Sequence, residues 1–114
     1  MSYQSINPND GKTLKTFEEM SDQQLDTAIA TAATSFDSWK NKTYAERAII
    51  VDKAASLMHA QVKDLAKLMT LEMGKLTKEA QAEVAYSGDI LAYYSTNAEQ
   101  FLAPVKLNPK VGEA

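Results

Sequence analysis

Between residues 77 and 103, Ala80, Val84, Ser87, Leu91, Tyr94, Ala98 and Phe101 follow one another in alternating steps of four and three. Only an α-helix gathers such positions onto one face, because its turn of about 3.6 residues brings i, i+4 and i+7 into line. The spacing therefore predicts a long helix over 77–103, with Thr77 placed to cap its start and Pro104 to end it. Gly88 lies on or near that stripe, where it costs up to about 1 kcal/mol of helix propensity. Its presence predicts a close approach of another helix there.

The chain before this helix reads TLEMGKLTKEAQAEV over 70–84, and Gly74 falls just past the last residue of a second apolar pattern. That is the usual place of a helix-terminating glycine. Upstream, Ile50, Val51, Ala54, Leu57 and Met58, then Val62, Leu65, Ala66, Leu68, Met69 and Met73, recur at helical spacing. They fit one bent helix or two across 44–73, with the break near 59–60. Thr43-Tyr44-Ala45-Glu46 opens that stretch as a capping box. Ser21-Asp22-Gln23-Gln24 opens a further helix over 22–40, whose stripe is Leu25, Ile29, Ala32, Phe36 and Trp39. Met58, Met69, Met73, Tyr93 and Tyr94 are expected as core filler on these stripes.

At the start, Pro8-Asn9-Asp10-Gly11 is turn chemistry between two strand-like arms, which predicts a β-hairpin within residues 1–20. An isolated hairpin is marginal in water, so it needs a surface to lie against. At the other end, Val105-Lys106-Leu107 reads as the start of a strand within 104–114. The expected architecture is mainly α with a small β-hairpin, the helical segment spanning 21–103.

Several chemistries drop out. Gly74-Lys75 is no phosphate-binding loop: Met69 stands where such a loop needs its first glycine, and Leu76 stands where it needs a hydroxyl. The chain has no cysteine, so it carries no thiol nucleophile or thiolate metal site. Its single histidine, His59, is expected as a surface or capping residue rather than a ligand. Glu79 and Glu83 share a helix face, but no histidine or third acid stands near them in sequence. The net charge of −3, with Lys and Arg scattered among acids, lacks the basic stripe of a nucleic-acid binder. No apolar run reaches the roughly 20 residues of a membrane span. Residues 1–10 lack the basic and apolar regions of an export signal, so a cytoplasmic setting is expected by default.

The order of the pieces is more telling than any one of them. Asn7-Pro8 with Asp10-Gly11 comes first, then Ala32-Ala33, Phe36 and Trp39, then Arg47 early in the next helix. Thr70-Leu71-Glu72-Met73-Gly74-Lys75 and Glu83-Val84 follow, and then Tyr93-Tyr94 in a long helix. From about Ile6 to Leu107 this series resembles the N-terminal segment of the aldehyde dehydrogenase superfamily, nearest in character to its succinate-semialdehyde dehydrogenases. The resemblance implies a partial α/β fold lacking most of the Rossmann-like cofactor domain and the catalytic domain. It implies a parent enzyme that uses NAD or NADP, forms a thiohemiacetal on a cysteine, and releases the acid with a Glu-activated water. The family's Pro-Trp-Asn motif, glycine-rich turn, general-base Glu and catalytic Cys have no counterpart in these 114 residues. By itself the chain is therefore expected to bind no nicotinamide cofactor and to oxidise nothing.

The resemblance also places particular residues. Ala82 and Tyr86 are expected nearest the mouth of the substrate tunnel. The main-chain carbonyls of Ile6 and Glu72 would hold a monovalent cation. The expected partner is the rest of the parent enzyme, or a second copy met through exposed apolar helix faces. The alternative reading is a self-standing helical interaction module without catalysis.

Overall fold

The computed structural model describes residues 3–107. Two strands, β1 (Tyr3–Ile6) and β2 (Thr13–Phe17), precede four helices: α1 (Asp22–Trp39), α2 (Tyr44–Ala60), α3 (Val62–Met73) and α4 (Thr77–Phe101). The strands pair antiparallel, Tyr3 opposite Phe17, with an irregularity between Ser5 and Ile6. The turn holds itself together. Asn7 and Asp10 side chains accept from the backbone N–H groups of Asn9 and Lys12, and Gly11 takes the left-handed conformation at φ 70°.

Both capping boxes form. Ser21 Oγ accepts from the Gln24 N–H at 3.2 Å while the Ser21 N–H donates to Gln24 Oε1 at 2.8 Å. Thr43 and Glu46 repeat the exchange at the head of α2, with the Thr43 N–H donating to Glu46 Oε2 at 2.7 Å. The break within 44–73 falls at Gln61, which closes α2 and precedes α3. At α4 the cap differs from expectation. Leu76 takes the cap position without a side-chain bond, and the Thr77 hydroxyl meets the Thr70 hydroxyl at 3.3 Å instead. Val105–Leu107 form no strand, because β1 and β2 pair only with each other and a strand needs a neighbour. The rest of that expected segment, 108–114, lies outside the described residues.

Thr43 donates from its backbone and its hydroxyl to Glu46, and Lys42 lies near; together these hold the Glu46 carboxyl below the ordinary glutamate range. A depressed folded-state pKa contributes stability that is fully present above the unfolded value and is lost as pH falls through the folded one. A Thr43→Ala chain keeps the backbone donor and will lose only part of the acid-side dependence, whereas Glu46→Gln removes the titrating group and will lose all of it, while an unaltered chain loses helix at the head of α2 as the carboxyl protonates. Urea titrations followed by circular dichroism at neutral and acid pH will read the difference.

The helices do not share one core. α4 packs along α2 and α3, and Ala66, Ala80 and Val84 are buried where they cross, with Met58, Val62, Leu65 and Met69 against them. Ala55 is buried on α2. In contrast α1 has no buried residue, and the hairpin strands are almost wholly exposed. Met73, Tyr93 and Tyr94 were expected in the core and are exposed, the two tyrosines packing on each other and on Phe101. They sit beyond the α2–α3–α4 crossing, where no described element covers them. The radius of gyration is 20.5 Å, against roughly 13 Å for a compact domain of this length. The accessible surface is 9488 Å², against roughly 6,200 Å² for a compact monomer of this mass. The structure is an extended layer, not a closed domain.

Candidate functional site

Two places bring separated parts of the chain together. The first is the junction of the hairpin with the α3–α4 turn. Gly74 ends α3 at φ 73°, its N–H donating to the Thr70 carbonyl at 3.0 Å. A side chain built on Gly74 would put its Cβ 3.2 Å from Pro8 Cγ. Glycine thus serves twice here, by its left-handed backbone and by admitting the proline of the hairpin turn. Beside it the Ser5 hydroxyl donates to Glu72 Oε1 at 2.9 Å. Lys75 forms an ion pair with Glu83, tying the turn to α4. So Gly74-Lys75 is a joint between elements.

The structure brings β1, which carries Ile6, beside the end of α3, which carries Glu72, through that Ser5–Glu72 contact. Glu72 takes part through its side chain. Ala82 and Tyr86 stand four apart on α4, both exposed. They face away from the side of the helix that buries Ala80, Val84 and Gly88. No described residue of another element closes over them to make a pocket. Among the described residues no group of three His, Asp or Glu side chains is placed to hold a metal ion.

The second place is a groove of about 240 Å³ between the end of α1, the start of α2 and the last turns of α4, lined in part by Trp39, Tyr44, Val51, Tyr94 and Leu102. Of its two charged lining residues, Arg47 and Glu99, Arg47 is already engaged: Nε and Nη2 donate to the Lys42 carbonyl at 3.0 and 2.8 Å, and the guanidinium stacks over Tyr44. The groove is mostly apolar, and its Ser95 and Thr96 hydroxyls donate to the Ala92 carbonyl of their own helix. Its chemistry is that of a contact surface.

Sequence reasoning left His59 without a partner. In the structure its ring lies over Gly88, close enough that a Cβ there would come 2.8 Å from Nε2, and Nε2 stands 3.3 Å from Asp89 Oδ1. Gly88 announced the approach; nothing in the sequence tied residue 59 to it.

The family model for the aldehyde dehydrogenase family matches residues 1–112, and the chain belongs to that family. A succinate-semialdehyde dehydrogenase (NADP+) of Deinococcus radiodurans is 38% identical over 112 residues, covering 98% of this chain and 24% of that protein. Its counterpart in Mycobacterium avium is 41% identical over 116 residues, covering 100% and 25%. The crystal structure of a succinic semialdehyde dehydrogenase from Streptococcus pyogenes in complex with NADP+ superposes with a TM-score of 0.89 at 33% identity, over 97% of this chain and 25% of that one. The chain thus spans about a quarter of the length of these relatives and matches their amino-terminal part. No described helix is long and apolar enough to cross a membrane.

Proposed function

We propose that this chain forms the amino-terminal helical layer of an NADP-dependent aldehyde dehydrogenase acting on succinate semialdehyde in the cytoplasm, and that it is inactive alone. The observation that carries the reading is the match across nearly the whole chain to NADP-dependent succinate-semialdehyde dehydrogenases at 38 and 41% identity. The missing chemistry supports the second half. Acyl transfer needs a nucleophile and hydride transfer needs a cofactor site, and the chain has no cysteine and no dinucleotide-binding turn. In this reading Ala82 and Tyr86 border the substrate tunnel, supported by their exposure on the free side of α4. The carbonyls of Ile6 and Glu72 hold a monovalent cation, supported by the Ser5 hydrogen bond that draws β1 to the end of α3. The partner is the remaining polypeptide of the enzyme. Failing that, it is a second copy, because the uncovered surface favours some cover.

A chimera tests this. Residues 1–112 replace the matching segment of the Deinococcus radiodurans enzyme, and NADP reduction is followed with succinate semialdehyde and with an uncharged aldehyde of similar length. The expected result is a folded chimera that keeps its succinate-semialdehyde activity within about tenfold, a barrier change of about 1.4 kcal/mol. The 114-residue chain should give none. A folded chimera without activity, or one that has switched to the uncharged aldehyde, overturns the reading.

A further inference from the structure

The hairpin turn holds the one Asp-Gly pair of the chain, Asp10-Gly11. Every other aspartate lies within α1–α4 and is followed by a residue with a side chain. An Asp-Gly pair is chemically distinct, because glycine has no Cβ to shield its backbone nitrogen from the carboxyl before it. Neighbours do not shield it either: a Cβ built on Gly11 would meet nothing within 4 Å among the described residues. Two contacts restrain the pair instead. The Gly11 N–H donates to the Asn7 carbonyl at 2.9 Å. The Asp10 carboxylate accepts from the Lys12 N–H at 3.1 Å through Oδ1 and pairs with Lys12 Nζ at 3.0 Å through Oδ2. That ion pair is at the surface, with the Lys12 side chain 80% exposed, where such pairs hold weakly.

We propose that Asp10-Gly11 is a self-modification site, where the chain converts spontaneously to isoaspartate at a rate set by release of Asp10 from Lys12 and of Gly11 from Asn7. The Gly11 nitrogen attacks Asp10 Cγ in its uncharged acid form. An N–Cγ bond forms, the Cγ–OH bond breaks, and the hydroxyl leaves as water with the amide proton, closing a five-membered succinimide. Water then adds to the ring. Cleavage at Cγ restores aspartate, whereas cleavage at the former main-chain carbonyl leaves the chain running through Cγ. No oxidant or co-reactant beyond water is needed. Lys12 pairs with the carboxylate in its charged form, which is the form that does not react. The product carries one more methylene in the main chain, and the turn has no room for it unchanged. Across that turn the Asn7 N–H donates to the Lys12 carbonyl at 2.9 Å, and Pro8 sits against Gly74. Conversion therefore loosens the hairpin from the end of α3. The reaction is intramolecular, depends on no surface outside the turn, and stands apart from the catalytic assignment.

The test keeps the 114-residue chain in warm, mildly acidic buffer beside its Lys12→Gln and Asp10→Glu variants. A free peptide of residues 5–14, with and without Lys12→Gln, sets the unrestrained rate. Peptide maps with fragmentation that distinguishes isoaspartate locate the product, and a species one water lighter marks the succinimide. The expected result is isoaspartate at residue 10, formed more slowly than in the peptide. Lys12→Gln should speed the chain by about threefold, the scale of a surface ion pair, and leave the peptide little changed. Asp10→Glu should give none, since its longer side chain closes a six-membered ring far less readily. In the separated isoaspartyl chain, amide exchange should quicken over 3–17 and stay slow in α2 and α4. No product once the peptide has converted, a chain that keeps pace with the peptide, a chain indifferent to Lys12→Gln, or unchanged exchange in the hairpin would each overturn the proposal.

Discussion

Ala80→Leu will cost the helical body about 1–3 kcal/mol, the range for forcing extra methylenes into a closed packing site. Ala80 and Ala66 are both fully buried where α3 and α4 cross, and the other buried hydrophobic side chains are only Ala55 and Val84 among the described residues. A core built of alanines is one in which backbones lie close. A leucine there has to separate the helices, since Met58, Val62, Leu65 and Met69 already occupy the margins. Ala66→Leu should behave alike. Ala82→Leu, two residues along α4 on the exposed side, should change stability by less than about 0.5 kcal/mol. Urea midpoints by circular dichroism will separate the two classes. Equal effects at Ala80 and Ala82 would mean that α4 does not bury the face described.

Gly74→Val should be the most damaging change at the hairpin junction. The left-handed conformation at φ 73° costs an L-residue about 1–2 kcal/mol, and a β-branched side chain tolerates it worst. The new Cβ would also press on the Pro8 ring at 3.2 Å, so the hairpin must shift away from α3 and strain the Ser5–Glu72 bond. Gly74→Ala should cost less, and Gly74→Asn least in backbone terms. The two contributions can be separated by a second substitution. Pro8→Ala in the Gly74→Ala background should recover the steric part and leave the backbone part. Full recovery would show that the turn is not held left-handed.

Much of the architecture was legible because it is set locally. Periodicity marked all the helices, the two hydroxyl–Gln/Glu boxes marked the starts of α1 and α2, and Asp-Gly marked the hairpin turn. Gly74 was legible as a helix end for the same reason: a left-handed residue after the last apolar position is a property of the nearby chain. Thr77 misled because a hydroxyl near a helix start has other partners, and Thr70 was closer. The apolar stripes misled about Met73, Tyr93 and Tyr94, since a stripe reports that a face wants cover and not that cover is present.

The candidate site divides the same way. The order of motifs from Asn7-Pro8 to Tyr93-Tyr94 led to the aldehyde dehydrogenase family, and the absence of cysteine excluded a thiol nucleophile, without any coordinates. What the sequence by itself determined, then, was the set of helices, the turn chemistry, the family and the lack of a thiol, because each depends on residue identity or on spacing within a few turns. Tertiary structure alone decided that His59 rests on Gly88, that Pro8 sits against Gly74, and that α1 lies outside the core. Those facts depend on how distant segments meet, and the free energy of such meetings is shared among surfaces that no single stretch of sequence contains.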